Sequence, residues 1–432
     1  MKRVMVTGGV HGGAARTVSV LAVGGALLLA TACGGAAEKG QPAAASAPAP
    51  AAASDGASAG ASASASAGAS ASAETAETLP KSSAATVKVT PANGAEEVQP
   101  SGVLKIEATG GKLSEVVVTD KNGKKVAGTT AADGLSWKPA AGLAGGTVYT
   151  VNAQATDPEG LVSAVNSSFT TAVPKGKVVV SDNIGAGQTY GVGMIVSVRF
   201  GKQVKNKDAV VQAVSVTGSD GTVAKGHWLQ DDRRLDFRPE HYWKPGTKVT
   251  VKYRLQNVEI TPGYYGDKDV EDAFTVGESR ISTVDAKTHR MTVTTAAGSR
   301  TVPISAGDDL NPSWNGTMVI FTKDRLTRMN SATVPGVKGE PYDLDNVPHA
   351  MKLTDTGTYV HGNHWNENIG KGNYSHGCIG LFDKAGGSSA SDAGKFFAES
   401  RIGDVVQIVN SKGKTVQAQN GLSGWTLPWD KW

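Results

Sequence analysis

The sequence predicts a mainly β protein: two immunoglobulin-like β-sandwiches, then a β-rich domain with one short helix and a tryptophan-rich C-terminal tail. Three observations support this prediction. At 432 residues the chain is too long for a single core. A charged fraction of 19%, an aromatic fraction of 6% and 54 glycines argue against long amphipathic helices. Short apolar runs separated by turn signals recur from about residue 84 onward.

Residues 1–32 have the features of an export signal. Basic residues precede an apolar run over residues 18–29, which is too short for a retained membrane span, and small residues then lead to Cys33. These small residues resemble a bacterial lipobox, although Ala30 stands where that pattern usually has Leu. The resemblance implies a lipid on Cys33 and an extracytoplasmic protein anchored to the outer face of the cell membrane. Ordinary signal-peptide cleavage nearby is the alternative.

Residues 33–83 predict a disordered linker behind the anchor. The segment is almost wholly Ala, Ser, Gly and Pro, and such a composition cannot bury enough apolar surface to offset chain entropy. A flexible chain of this length has a root-mean-square span of roughly 40 Å. The linker would therefore let the folded part reach into the cell wall.

Residues 84–173 predict the first sandwich. Its candidate strands cover residues 86–89, 104–107, 115–119, 147–155 and 164–171. Turn signals such as Asn122-Gly123 separate them, and strands at this spacing suggest an immunoglobulin-like fold. No Cys…Trp…Cys pattern is present, which excludes the antibody type of core.

Residues 174–277 predict a second sandwich with a different sequence. Its candidate strands cover residues 194–200, 211–217 and 248–255. In the last of these, Val249, Val251, Tyr253 and Leu255 alternate with polar residues, which is the period of a half-buried strand.

Residues 278–410 predict a third domain, followed by a tail over residues 411–432. The domain opens with strands over residues 281–284 and 290–294. Asp392 is predicted to cap a helix that ends before Gly403, and a strand over residues 404–409 follows. The tail carries three of the eight tryptophans, so it is predicted to pack on a neighbouring domain.

The chemistry-bearing residues concentrate near the end of the third domain. Four of the eight histidines fall within residues 349–376, and His361, His364 and His376 lie close in sequence to Cys378. If Cys33 is acylated, Cys378 has no partner for an intramolecular disulfide. A cysteine is mostly protonated at neutral pH, so its use as a nucleophile requires an imidazole that takes the proton. His361 suits that role from a neighbouring strand, whereas His376 is too close along the chain to meet Cys378 head-on.

The pattern of His361 followed by Ser375-His376-Gly377-Cys378 resembles the signature of the L,D-transpeptidase (YkuD-type) family. The phrases "YGVGMIVSVRF" and "FRPEHYWKPGTKVTV" also resemble the immunoglobulin-like module that precedes this domain in actinobacterial members. The resemblance covers residues 174–432 and implies that the tail packs on the second sandwich.

The resemblance also implies a role for each residue of the site. Cys378 is the nucleophile, His361 the general base, and the carbonyl of Gly362 orients that base. His376 polarises the site, and the N–H groups of Gly377 and Cys378 form the oxyanion hole. Glycine suits position 377 because, without a Cβ, it lets backbone amides approach the substrate.

Four further residues are candidates for substrate binding. Tyr342 and Trp365 resemble the aromatic residues that flank the family's acyl-donor groove, with core packing as the alternative for each. Asn363 and Ser375 are expected to form local hydrogen bonds or to contact the substrate. Gly380 departs from the family, which usually has Asn or Arg two residues after the cysteine. Its missing side chain puts rate and specificity in question more than reaction type.

The implied reaction is a two-step acyl transfer on peptidoglycan. Cys378 forms a thioester with a tetrapeptide stem, D-alanine leaves, and an amine of an acceptor stem then produces a 3→3 cross-link. The reaction needs no cofactor, and carbapenems are expected to acylate the same thiol. An L,D-carboxypeptidase and a non-catalytic wall-binding scaffold are the alternatives.

Two other classes of function are disfavoured. A formal net charge of +4, with no basic run interleaved with aromatics, argues against a nucleic-acid partner. Zinc is disfavoured because His376 and Cys378 lie only one residue apart and the histidines form no recognised zinc-peptidase pattern. The sequence therefore predicts no metal site.

Overall fold

The computed structural model describes residues 81–432, which contain 28 β-strands, two α-helices and three 3-10 turns. The prediction of a mainly β fold with immunoglobulin-like and YkuD-type domains is confirmed. The predicted signal peptide, the lipidation of Cys33 and nearly all of the predicted linker lie outside the described residues. Within residues 81–432, no helix is long and apolar enough to cross a membrane.

The first sandwich consists of two four-stranded sheets with the strand orders β1-β3-β6-β5 and β2-β8-β7-β4. The strands are β1 (Thr86–Thr90), β2 (Ala95–Val98), β3 (Lys105–Thr109), β4 (Lys112–Asp120), β5 (Gly128–Thr130), β6 (Ser136–Pro139), β7 (Val148–Thr156) and β8 (Val162–Thr171). Alternate residues of β7 are buried, and Tyr149 and Val151 join Ile106, Trp137 and Phe169 in one core. This core lies entirely within the first sandwich.

The second sandwich has two four-stranded sheets, β10-β12-β15-β14 and β11-β19-β16-β13, and a small sheet β17-β18-β9. The elements are β9 (Gly176–Val178), β10 (Val180–Asp182), β11 (Thr189–Tyr190), β12 (Val196–Phe200), α1 (Lys207–Gln212), β13 (Val214–Gly218), β14 (Lys225–Leu229), β15 (Arg234–Arg238), β16 (Lys248–Arg254), β17 (Glu259–Thr261), β18 (Tyr264–Gly266) and β19 (Asp269–Val276). The strand predicted from residue 211 begins only at Val214, because Val211 belongs to α1, which turns Val210 into the core.

The third domain is built on a nine-stranded mixed sheet, in the order β23-β28-β20-β21-β22-β27-β26-β25-β24. Its elements are β20 (Arg280–Asp285), β21 (Arg290–Thr295), β22 (Gly298–Ser305), β23 (Gly316–Val319), β24 (Thr322–Asn330), β25 (Asp343–Lys352), β26 (Tyr359–Asn363), β27 (Ile379–Phe382), α2 (Asp392–Glu399) and β28 (Val405–Val409). Three 3-10 turns cover Ser331–Thr333, Gly424–Thr426 and Trp429–Lys431. Helix α2 packs on β25, β26 and β27, behind the strands that carry the predicted site.

The predicted cap of α2 is wrong by one residue. Ser391 is extended, and its hydroxyl accepts a hydrogen bond from the Gly394 amide at 2.9 Å, so Ser391 is the N-cap. Asp392 is instead the first helical residue, where the helix dipole favours its negative charge.

The tail lies against the second sandwich. The Trp425 indole donates to Gly193 O at 2.7 Å, and the Trp432 indole donates to Lys225 O at 2.8 Å. The Arg238 guanidinium lies 4.6 Å from the Trp425 ring centroid and 4.5 Å from that of Trp432. The last residues of the chain therefore join the third domain to the second sandwich.

Candidate active site

Cys378 and His361 lie on neighbouring parts of the mixed sheet. Strands β26 and β27 run parallel, with His361 opposite Gly380, and Cys378 directly precedes β27. Both side chains line one cavity of about 630 Å³. The sheet thus brings together the two residues that the sequence singled out, although they are 17 positions apart in the chain.

The His361 imidazole is held in one orientation. Its Nδ1 donates to Gly362 O at 2.8 Å, which leaves Nε2 as the nitrogen that can accept a proton. The side chain is buried, and burial lowers the pKa of His361 below its ordinary value. His361 is therefore neutral and oriented at neutral pH, and its contact with Gly362 has the form that the family resemblance implied.

The Cys378 thiol is also neutral in the resting protein. The residue is 9% exposed, and burial raises its pKa to about 11 despite a hydrogen bond from the backbone of Tyr359. Its Sγ donates to Gly357 O at 3.5 Å. The cavity therefore holds a neutral thiol and a neutral imidazole, the protonation states from which a base-assisted attack starts.

Ser375 fixes the loop that presents the cysteine. Its hydroxyl donates to Cys378 O at 2.5 Å and accepts from the Gly377 amide at 3.2 Å. Gly377 has φ of +110°, a backbone conformation that other residues rarely adopt. The Gly377 amide is thus already bonded to the Ser375 hydroxyl. To serve in the predicted oxyanion hole, it must give up this hydrogen bond and donate to a substrate oxygen instead.

Aromatic side chains form the walls of the cavity. The Trp365 ring stacks 5.9 Å from His361 at 18° and is 45% exposed, which places it at the rim rather than in the core. Tyr342 is half-buried, lies 4.8 Å from His376 between ring centroids, and has a pKa raised by burial to about 12. Sequence reasoning missed Tyr374, which lines the same cavity and is 55% exposed. The sequence signal that could have identified Tyr374 was an aromatic residue two positions after a glycine in the catalytic loop.

Asn363 explains why glycine is accommodated at position 380. Asn363 is 5% exposed, lines the cavity, and accepts a hydrogen bond from the Asn366 amide at 3.1 Å. A Cβ on Gly380 would lie 3.0 Å from Asn363 Nδ2 and 3.2 Å from its Cβ. In this chain the Asn363 amide therefore occupies space that a side chain at position 380 would need.

A second cavity, of about 410 Å³, lies next to the catalytic loop. Its wall includes Leu310, Trp314, Thr358, His376 and Gly377. His376 also lines the larger cavity, so the loop that carries Cys378 separates two spaces. Within residues 81–432, no group of three or more His, Cys, Asp or Glu side chains is arranged to hold a metal ion.

The fold and the site together define a multidomain β-sheet enzyme in which a buried cysteine and an oriented histidine line one cavity. The family described as the L,D-transpeptidase catalytic domain matches residues 279–408, and the one described as a bacterial Ig domain matches residues 95–259. The chain belongs to the L,D-transpeptidase family, and the enzyme is a transpeptidase.

Three known proteins illustrate the similarity. The chain is 31% identical over 344 residues to L,D-transpeptidase 2 of Mycobacterium tuberculosis, covering 79% of this chain and 82% of the relative. L,D-transpeptidase 5 of the same species is 27% identical over 350 residues, covering 79% and 75%. The solved structure of the LD transpeptidase LdtMt1 in complex with imipenem is 26% identical, covers 55% of this chain and 100% of its own, and gives a TM-score of 0.45.

Proposed function

We propose that the enzyme forms 3→3 peptidoglycan cross-links through a thioester on Cys378. The observation that carries this proposal is the His361 ring, which is pinned by the Gly362 carbonyl and faces the same cavity as the thiol. A fixed Nδ1–H bond to a backbone carbonyl orients the other nitrogen as a base.

In the first step, His361 Nε2 takes the thiol proton while Cys378 Sγ attacks the carbonyl carbon between the third residue and the D-alanine of a tetrapeptide stem. The imidazolium then returns that proton to the departing amine of D-alanine, and a thioester remains. The developing oxyanion accepts hydrogen bonds from backbone amides of the catalytic loop, in which Gly377 exchanges its Ser375 partner.

In the second step, a side-chain amine on the third residue of another stem attacks the thioester and loses a proton to His361. The S–C bond breaks, and the thiol is restored. Two cavities that meet at His376 support a route for each stem, with the larger one, walled by Trp365 and Tyr342, for the donor and the smaller one for the acceptor. An L,D-carboxypeptidase differs only in that water reaches the thioester first.

A single incubation separates the possible functions. Purified tetrapeptide muropeptides are mixed with the wild-type protein or with Cys378→Ala, and the products are identified by mass spectrometry. Cross-linked dimer with released D-alanine from the wild type alone supports the proposal. Tripeptide without dimer identifies a carboxypeptidase, and unchanged substrate with both proteins identifies a non-catalytic scaffold.

The neutral thiol–imidazole pair sets the expected pH profile. Because burial lowers the pKa of His361, the rate of Cys378 acylation should decline only at a pH below the ordinary pKa of an imidazole. Intact-mass measurement of the adduct formed with a carbapenem at a series of pH values tests this. Absence of an adduct with excess carbapenem, or a rate that already halves near pH 7.5, would contradict the proposed pair.

We propose further that Cys33 carries a lipid that holds the enzyme on the outer face of the cell membrane, with its catalytic domain in the wall. The support is the sequence that precedes Cys33, an apolar run followed by small residues. Wild type should partition into the detergent phase, and Cys33→Ala should partition into the aqueous phase. Equal partitioning of the two proteins would remove the anchor from the proposal.

A further inference from the structure

A buried His–Asp pair lies behind the strand that carries the catalytic histidine. His349 Nδ1 donates to Asp383 Oδ2 at 2.7 Å, and the two side chains are 10% and 0% exposed. The other oxygen, Oδ1, accepts from the Ser388 amide at 2.9 Å and from the Ser391 hydroxyl at 2.8 Å. Neither His349 nor Asp383 lines the catalytic cavity, so the reaction steps above do not use them.

Asp383 touches the residue that orients the base. A Cβ added to Gly362 would lie 2.2 Å from Asp383 Oδ2 and 2.9 Å from its Cγ, so the carboxylate fills the space beside the Gly362 backbone. The carbonyl oxygen of the same residue, Gly362 O, accepts the hydrogen bond from His361 Nδ1 at 2.8 Å. The Asp383 amide also reaches Asn363 O at 3.4 Å, which ties the end of β27 to β26.

The geometry of His349 indicates that the pair is maintained at a conformational cost. His349 has φ of +51° within β25, a region that residues other than glycine seldom occupy. Its ring packs 5.2 Å from Phe397 of α2, and a Cβ at Gly387 would lie 3.0 Å from its Cε1. The surrounding chain is thus shaped to hold this ring against Asp383.

The carboxylate is charged in the folded protein. Burial pushes the pKa of Asp383 upward, but the hydrogen bonds from His349, from the Ser388 amide and from the Ser391 hydroxyl outweigh it, and the pKa lies below its ordinary value. A negative charge is therefore held against the backbone of the residue that follows His361. Such a charge favours the imidazolium that forms when His361 takes the thiol proton.

We propose that Asp383 and His349 are positioning residues for the catalytic base. Asp383 supports the Gly362 peptide so that its carbonyl meets His361 Nδ1, and His349 holds the carboxylate in place. This inference rests on the proposed role of His361. It extends the site to residues on β25 and directly after β27, behind the face that the substrate reaches.

Four proteins test the inference: wild type, His349→Ala, His349→Asn and Asp383→Asn. In His349→Asn, the amide nitrogen of the introduced asparagine can replace Nδ1 as the donor to Asp383, and asparagine tolerates positive φ better than most residues. The measurements are the second-order rate constant for acylation of Cys378 by imipenem, followed by intact mass across a pH series, and the melting temperature of each protein.

His349→Ala and Asp383→Asn should acylate about 10- to 100-fold more slowly than wild type, the loss that removal of an orienting partner typically causes. His349→Asn should recover most of the rate lost in His349→Ala. In Asp383→Asn, the acidic limb of the pH–rate profile should also move to lower pH, because the charge that favours the imidazolium is gone.

A purely structural pair would lower the melting temperature and leave both the acidic limb and the rate of the folded protein unchanged, and that result would overturn the inference. Equal rates for His349→Ala and His349→Asn would also overturn it. If the wild type itself forms no imipenem adduct, the proposed role of Cys378 fails instead, so the two failures are distinguishable.

Discussion

The two sandwiches share a fold class but differ in how they join the rest of the chain. The first encloses its own core around Trp137 and Phe169. The core of the second, around Trp243, continues into the catalytic domain and the tail through Val405 and Leu422. A common architecture therefore does not imply a common role, because only the second sandwich shares a hydrophobic core with the domain that carries the site.

Polar contacts strengthen the difference. In the second sandwich, Arg234 and Asp236 form an ion pair with both side chains fully buried. Arg234 also donates to the tail, to Gln419 O at 3.1 Å and to Gly421 O at 2.7 Å. Among the described residues, one side-chain hydrogen bond joins the first sandwich to the second, from the Tyr265 hydroxyl to Gln99 Oε1 at 2.9 Å.

The tail extends the contacts of the second sandwich to the turn that contacts Cys378. Asn420 Nδ2 donates to Thr356 Oγ1 at 2.9 Å, and the Gly421 amide donates to Asp355 Oδ2 at 3.1 Å. These contacts hold the turn before β26, in which Gly357 O accepts from Cys378 Sγ. The second sandwich, the third domain and the tail thus form one packed unit, which we call the catalytic unit, whereas the first sandwich has a core of its own.

The largest expected effect comes from breaking the buried ion pair. Asp236→Ala leaves Arg234 charged and unpaired in the interior, which should destabilise the catalytic unit by about 3–5 kcal/mol. Chemical denaturation measures the loss of stability, and the imipenem acylation rate measures its effect on the site. The matched control in the first sandwich is Glu107→Ala, which removes the exposed ion pair with Lys105 and should change neither quantity. Equal effects of the two substitutions would contradict the comparison.

The two parts should respond oppositely to pH. Burial raises the pKa of Asp404, which faces Gly191 of the second sandwich, from 3.8 to about 6. Because this folded-state pKa exceeds the unfolded value, its stabilising contribution is complete below pH 4 and is lost as pH rises through 6. In the first sandwich, the pKa of Asp157 is lowered, chiefly by a hydrogen bond from the Ala84 amide. The stabilising contribution of Asp157 is therefore lost as the pH falls through that lowered pKa.

Thermal unfolding at several pH values tests this contrast. Between pH 4 and pH 7, wild type should lose on the order of 3 kcal/mol relative to Asp404→Asn in the transition of the catalytic unit. The transition of the first sandwich is the internal control, since Asp404→Asn should leave it unchanged at every pH. A constant difference between wild type and variant across this range would remove Asp404 as the cause.

Local sequence patterns predicted the residues at the centre of the site but not the residue pairs that pack around it. Ser375 to Cys378 are contiguous, and Gly362 follows His361, so a linear motif carries their relationship. His349 and Asp383 are 34 residues apart, and Arg234 is 187 residues from Gly421. Pairs so distant leave no periodicity or spacing in the sequence, because the sheet order alone brings them together.

The misplaced helix cap and strand start have a different cause. Ser391 and Asp392 are both good N-cap residues, and the choice between them depends on backbone geometry at the turn. Val211 reads as part of a strand because it is β-branched, but one turn of helix places Val210 in the core. Tertiary packing decides such boundaries, whereas the fold class follows from the repeated short apolar runs.

A smaller effect is expected from loosening the tail. Asn420→Ala removes the hydrogen bond to Thr356 Oγ1 and the acceptor for the Thr356 amide, and should cost about 1 kcal/mol in the free energy of unfolding. The turn that contacts Cys378 should also loosen. Imipenem acylation should then slow several-fold, because a free-energy change of about 1 kcal/mol corresponds to a several-fold change in a rate constant. Gln419→Ala, which leaves the contacts of Asn420 intact, is the control. An unchanged acylation rate in Asn420→Ala would separate the tail from the site.

The smallest effect should follow from removing the first sandwich altogether. A chain that lacks residues 34–173 keeps the second sandwich, the tail and the shared core, and loses one side-chain hydrogen bond to the second sandwich, that of Gln99 with Tyr265. Water can replace Gln99 at the Tyr265 hydroxyl, so imipenem acylation should stay within about two-fold of the full chain, the range expected for sites that do not interact. The comparison with Asn420→Ala decides the outcome. If deletion of 140 residues slows acylation as much as loss of one tail amide, the first sandwich also acts on the site and is more than a spacer.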